Sequence, residues 1–146
     1  MKRYLFDTSV ILAAILAGHK HFNQAFDWIK AVSKGKIQGF VSHHCLAEVY
    51  SNLSGLYQNP VIPTKTCQSL IFDSLLKNFT AIDLSTKDYK LAIIRSVDKN
   101  LRNCIIYDAI HLQAALKKDC QAVLTFNVKD FKNLIKEDDH IKIISP

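Results

Sequence analysis

A chain of 146 residues, 49% hydrophobic and 22% charged, can bury one core and leaves little room for a second, so a single domain over 1–146 is expected. Its longest apolar run, Val10 to Ala17, falls far short of the roughly 20 residues of a membrane span, and no secretory leader pattern is present; a cytoplasmic protein with no membrane association is expected. The net charge of +6 suits a polyanion such as RNA, or an acidic partner protein.

In chain order, Lys2 to Phe6 reads as a short buried strand ending at Asp7. Thr8 and Ser9 are placed to cap a helix over Val10–Ala17, which Gly18 breaks. Phe22, Ala25, Phe26 and Ile29 have helical spacing within Phe22–Val32, and Gly35 ends that helix. Gly39 to Ser42 is a second strand, followed by a helix from His44 to Leu56 with Leu46, Val49, Leu53 and Leu56 on one stripe. Asn59–Pro63 is a loop, and Thr64 is placed to cap a helix running to Lys77. Thr80–Leu84 is a third strand, and Ser85 opens a helix reaching Val97. Tyr107–Lys118 is a helix, Ala122–Thr125 a strand, and Ile141–Ile144 a last strand. Strands alternating with helices imply an α/β fold whose short parallel central sheet is covered on both faces. Cys45, Cys67, Cys104 and Cys120 are scattered without a C-x-x-C pair, so reduced thiols are expected rather than a zinc or redox motif.

Three acids stand in unusual places. Ligands of parallel α/β sheets bind beyond the carboxyl ends of the strands, and Asp7 lies at such an end. Glu48, one of two glutamates in the chain, sits in the mostly apolar stretch Cys45–Tyr50, sharing a predicted helix face with His44, Ser51 and Asn52. Asp108 follows Cys104-Ile105-Ile106-Tyr107 at the start of an alanine-rich helix. Taken singly, each is also readable as an ordinary helix-start or helix-flank acid. Asn127 and Asp130 follow the strand that ends at Thr125, again on the carboxyl side.

The ordered set of Tyr4-Leu5-Phe6-Asp7-Thr8-Ser9, Ala47-Glu48-Val49, Tyr107-Asp108-Ala109-Ile110-His111-Leu112-Gln113-Ala114-Ala115 and Leu124-Thr125-Phe126-Asn127-Val128-Lys129-Asp130-Phe131 resembles the PIN-domain family. The likeness is to the VapC-like toxins of type II toxin–antitoxin pairs and spans nearly the whole chain. It implies a Rossmann-like three-layer domain and a metal-dependent endoribonuclease. Asp7, Glu48 and Asp108 would then hold Mg²⁺ or Mn²⁺, with Thr8 or Ser9 beside the first acid. Many relatives have a fourth acid where this chain has Asn127; Asn127 can still supply an oxygen, and Asp130 can restore the charge. The resemblance also implies an RNA substrate, an antitoxin partner and a homodimer.

The chemistry is consistent with these residues. Gathered carboxylates repel one another, and a divalent cation relieves that repulsion; hard oxygen ligands favour Mg²⁺ or Mn²⁺ over zinc. Lys87, Lys90, Arg95, Lys99 and Arg102 are candidates for a basic rim, or simply for a solvated helix face. His43-His44 lacks zinc-ligand spacing, and His111 reads as a packed, hydrogen-bonded histidine or as one that touches substrate. A haloacid-dehalogenase-like phosphatase would need an acid at Ser9, and four glycines are too few for a phosphate-binding loop. The alternative kept open is an inactive PIN-like protein that only binds RNA or a partner.

Overall fold

The opening apolar strand, β1 (Arg3–Phe6), becomes the middle of a five-stranded sheet in the computed structural model, which describes residues 1–56 and 61–146. The remaining strands are β2 (Gln38–Ser42), β3 (Thr80–Ile82), β4 (Ala122–Leu124) and β5 (Lys142–Ile144), in the order β3-β2-β1-β4-β5. Every pairing is parallel, with Leu5 set against Phe40 on one side and Val123 on the other. Side chains alternate across the strands, so the sheet feeds two cores. Tyr4, Phe6, Val41 and Leu124 pack on α1 (Thr8–Ile15), α2 (Phe22–Ser33), α3 (His43–Ser54) and the helical segment Thr64–Asn78. Leu5, Phe40, Ile82 and Val123 pack on α6 (Thr86–Asp98), α7 (Ile105–Lys117) and α8 (Val128–Leu134). The result is the expected three-layer α/β sandwich with a short parallel sheet.

Several local expectations change. Asp7, not Thr8 or Ser9, caps α1: its carboxylate accepts from the Thr8 N–H, so the helix starts at Thr8. That helix ends at Ile15, before Gly18, where Leu16 turns extended. Thr64 is the first helical residue rather than a cap, because Pro63 occupies the cap position and offers no side-chain acceptor. The segment after it is interrupted: α4 (Thr64–Ser69) passes through a π-helical stretch, Leu70–Leu75, into the short α5 (Leu76–Asn78). Of the expected loop, Asn59 and Pro60 lie outside the described residues. Ser85 caps α6 as expected, in a reciprocal box with Asp88. Cys45, Cys67 and Cys120 are buried and reduced; Cys104 is reduced but exposed.

Arg95 is no part of a basic rim. Its guanidinium grips both Asp139 carboxylate oxygens, at 2.6 and 3.1 Å, and donates to the Leu134 carbonyl at 3.0 Å. It therefore ties α6 to the connection between α8 and β5. Lys87, Lys90, Lys99 and Arg102 remain exposed.

Gly39 is required by a close approach between layers. A Cβ there would come within 2.6 Å of the Phe79 ring and 2.9 Å of Val32 Cγ1. Phe79 in turn packs edge-on against Phe6, centroids 4.9 Å apart, directly before Asp7. Gly39→Ala is therefore expected to destabilise the protein by about 1–3 kcal/mol, as overpacked cores do, with a matching fall in the urea midpoint. An unchanged midpoint would show that the Phe79 ring yields freely.

Candidate active site

The strand order decides where a ligand can sit. From β1 the chain moves outward to β2 and β3, then returns to build β4 and β5 on the other side. Neighbouring connections therefore diverge between β1 and β4, and a crevice opens at their carboxyl ends. Asp7 follows β1 and Thr125 follows β4, so both face this switch point.

Asp7 is buried and heavily bonded. One oxygen accepts from the Thr8 N–H at 2.8 Å; the other accepts from Ser9 Oγ at 2.7 Å and Thr125 Oγ1 at 2.8 Å. Thr125 Oγ1 also accepts from the Asn127 N–H, and Ser9 Oγ from the Phe126 N–H. Two loops are thereby pinned to one carboxylate.

Glu48 projects from α3 toward His111 on α7. The His111 ring is only 1% exposed, with Nε2 2.7 Å from Glu48 Oε1 and Nδ1 2.8 Å from Ser42 Oγ. The 2.7 Å contact to a carboxylate places a proton on Nε2. Thr8 Oγ1 and Asp7 Oδ1 lie 3.5 and 3.7 Å from the same nitrogen. Burial opposes a charge on His111, but the Glu48 hydrogen bond and the Asp7, Glu48 and Asp108 charges outweigh it, and its pKa is raised. Burial also opposes ionisation of Glu48, yet the hydrogen bond and charge of His111, with help from His44, hold its pKa below the usual value. His44 Nε2 lies 3.6 Å from Glu48 Oε1; burial lowers the pKa of His44.

Asp108 lies in the first turn of α7 and is half-buried. No donor reaches its carboxylate among the described residues. Burial first, then the Asp7 charge, push it up to about 7, with Asp130 and Glu48 adding to the rise and His111 opposing it. Asp7, Glu48, Asp108 and His111 thus converge, with Thr8 and Ser9 beside Asp7, while Asn127 and Asp130 stand exposed on the loop and first turn after β4. Among the described residues, no three His, Cys, Asp or Glu side chains already form a cation cage. The donor set is nonetheless carboxylate oxygen carrying unbalanced negative charge, the kind a hard divalent cation takes once side chains draw in.

Ser42 and Thr125 were missed by sequence reasoning. Both are small hydroxyl residues closing apolar strands on the carboxyl side, the same positional signal that singled out Asp7. Tyr107 was missed too; its ring stacks on His44, centroids 5.1 Å apart and planes 11° apart.

A parallel α/β sheet with an acid-lined crevice at its switch point defines a familiar class of α/β protein, and comparison with known proteins makes it specific. Residues 3–129 match the PIN-domain family model, and the chain belongs to that family. Its fold is similar to that of VapBC2 from Rickettsia felis, solved with a DNA fragment from their promoter, at 20% identity, covering 98% of each chain with a TM-score of 0.70. It is similar also to VapC20 of Mycobacterium tuberculosis, described as a Sarcin-Ricin loop cleaving toxin, at 17% identity, 87% and 92% coverage and a TM-score of 0.68. VapBC-1 from nontypeable Haemophilus influenzae matches at 13% identity, 98% and 97% coverage and a TM-score of 0.65. No curated protein sequence gives a significant match.

The raised pKa of Asp108 has a consequence for stability without metal. An acid whose folded pKa is raised holds its proton more tightly in the native state, so stability declines as pH rises from the unfolded value, about 4, to about 7. Asp108→Asn removes that decline. In EDTA the variant is expected to be more stable than wild type at pH 8, by about 2 kcal/mol, and closer to it at pH 5. Equal urea midpoints at pH 8 would refute the rise of the Asp108 pKa on burial among the other acids.

Proposed function

We propose that the chain is a metal-dependent endoribonuclease and the toxin of a toxin–antitoxin pair. The observation that carries this reading is the gathering of Asp7, Glu48 and Asp108 at the sheet's switch point, where burial and then the neighbouring charges push the Asp108 carboxyl up to about 7. Asp7, Glu48 and Asp108 would hold Mg²⁺ or Mn²⁺, which when bound lowers the pKa of a water and stabilises charge developing on phosphorus.

The chain's own groups do the positioning. Thr8, Ser9 and Thr125 fix the two oxygens of Asp7, and His111 aims Glu48 while Ser42 holds the other side of its ring. Asn127 offers an amide oxygen at the rim and Asp130 a further negative charge. His111 is too buried to deprotonate a ribose 2′-OH, which favours water as the nucleophile. VapC20, described as a Sarcin-Ricin loop cleaving toxin, shares this fold.

We assign the antitoxin a seat away from the acids. An apolar groove of about 250 Å³ lies between α1, α2 and the π-helical stretch, lined by Ile11, Ile15, Phe26, Ile29, Leu70 and Leu75. For a second copy of the chain we assign the exposed face of α6, where Tyr89, Ile93, Ile94 and Val97 stand together. Ile93→Asp is expected to turn a dimer into a monomer in sedimentation; a monomeric wild type would reject that assignment. No helix among the described residues is long and apolar enough to cross a membrane.

Asp7→Asn and Asp108→Asn are each expected to lower RNA cleavage by at least about 100-fold while circular dichroism stays native. EDTA should stop the wild type and Mn²⁺ restore it, leaving 5′-phosphate and 3′-hydroxyl ends. Expression of the wild type alone should slow bacterial growth, and Asp108→Asn should not. Folded variants with near-wild-type cleavage, or cyclic-phosphate ends formed in EDTA, would overturn the mechanism.

A further inference from the structure

Two stacks of a histidine on an aromatic ring stand beside the acids. Tyr107 belongs to neither half of the core, is 44% exposed, and has one face covered by His44. Its hydroxyl has no partner among the described residues, and it directly precedes Asp108. Its stacking partner, His44, lies 3.6 Å from Glu48 Oε1. The second stack is His21 on Phe126, centroids 4.5 Å apart and planes 16° apart. Phe126 is anchored against the core, and His21, half-buried, has the His19 ring 5.8 Å from its own at an angle of 42°. The Phe126 N–H donates to Ser9 Oγ, which donates to Asp7, so this stack is also fastened to an acid.

The sheet order places the two stacks apart. His44 begins the connection after β2, and Phe126 begins the one after β4, while β1 with Asp7 lies between those strands. The acids are therefore bracketed by an aromatic surface on each side.

We propose that the crevice takes a single-stranded RNA whose bases on either side of the cleaved phosphodiester stack on Tyr107 and on His21. This rests on the ribonuclease reading and adds how the strand is held. Aromatic faces bind bases that are unstacked from their neighbours, a state open to single strands and loops and closed to a duplex. An acidic crevice repels phosphate, so stacking supplies attraction where the local charge cannot.

The test separates bases from backbone. Binding of fluorescein-labelled hexaadenylate is measured by anisotropy in EDTA, alongside a ribose-phosphate hexamer of equal charge that lacks all bases. Wild type is expected to prefer hexaadenylate, and Tyr107→Ala and His21→Ala should each reduce that preference roughly five- to a hundred-fold. Tyr107→Phe, which keeps the ring, should preserve it, and a hexaadenylate–hexauridylate duplex should compete poorly. A variant that merely disturbed the fold would lose affinity for both strands alike and leave the preference unchanged, which would overturn the platform. Equal binding of the two strands by wild type would also overturn it, with the ribonuclease reading intact. Failure of wild type to bind either strand would overturn the platform too, while the metal-dependent ribonuclease reading, which is tested by cleavage in Mn²⁺, would stand apart from it.

Discussion

Burying and gathering carboxylates at one end of a sheet costs desolvation first and Coulomb energy second, and the fold distributes that cost unevenly. Asp7 is given three donors, and Glu48 is given the buried ring of His111. Asp108 is given neither and rises to about 7. The asymmetry has a structural origin. Asp7 follows a strand where hydroxyl residues from the next turn and from the loop after β4 surround it, whereas Asp108 lies in the first turn of α7, where the Ile106 and Tyr107 N–H groups already donate to Asn103 and Cys104. The pocket is thus rigid at two acids and electrostatically unfinished at the third.

That rigidity depends on residues outside the acids. His111 reaches from α7, in one helical layer, to Ser42 at the cap of α3 and Glu48 within it, in the other. The bridge passes over the carboxyl ends of the strands, so relative movement of the layers would be felt directly at Glu48. Below it, Phe6 is held by the edge of Phe79, and Phe79 fits only because position 39 lacks a side chain. On the far side, Arg95 spends its charge on Asp139 rather than on any ligand. Its side chain is mostly buried, and a buried pair of this kind cannot release a partner without leaving an uncompensated charge.

Much of this was legible in the sequence because it depends on periodicity and position. The alternation of short apolar strands with helical stripes gave the parallel sheet, and the rule that ligands gather beyond strand ends drew attention to Asp7. The missed features depend on side-chain direction. Nothing in Gly39-Phe40-Val41-Ser42 marks Ser42 as the partner of a histidine 69 residues away. Thr125 was passed over in favour of the more polar Asn127, though Thr125 is the one bonded to Asp7. Arg95 was read as a surface cation because its α6 neighbours Lys87, Lys90 and Lys99 are exposed; only the tertiary position of Asp139 shows otherwise. The cap of α1 was misplaced by one residue because Asp, Thr and Ser are all good caps, and local sequence cannot rank three in a row.

Charge and shape divide the work of recognition here. The net charge of +6 draws any polyanion, and does so without regard to sequence or strandedness. Such attraction fades with salt and stops short of the crevice, where Asp7, Glu48, Asp108 and Asp130 oppose a phosphate. On the proposed reading, RNA would be drawn the last few ångströms into the cation-free crevice by something other than its charge. Aromatic rings beside the acids would meet that need, since they act on the bases and not on the backbone. A-form duplex presents no free base faces, and its bases would have to be unstacked before either ring could hold one. On the proposed reading, the same acids that would hold a cation also set the condition for selecting a single strand: the more strongly the cation-free crevice repels phosphate, the larger the share of affinity that would come from stacking.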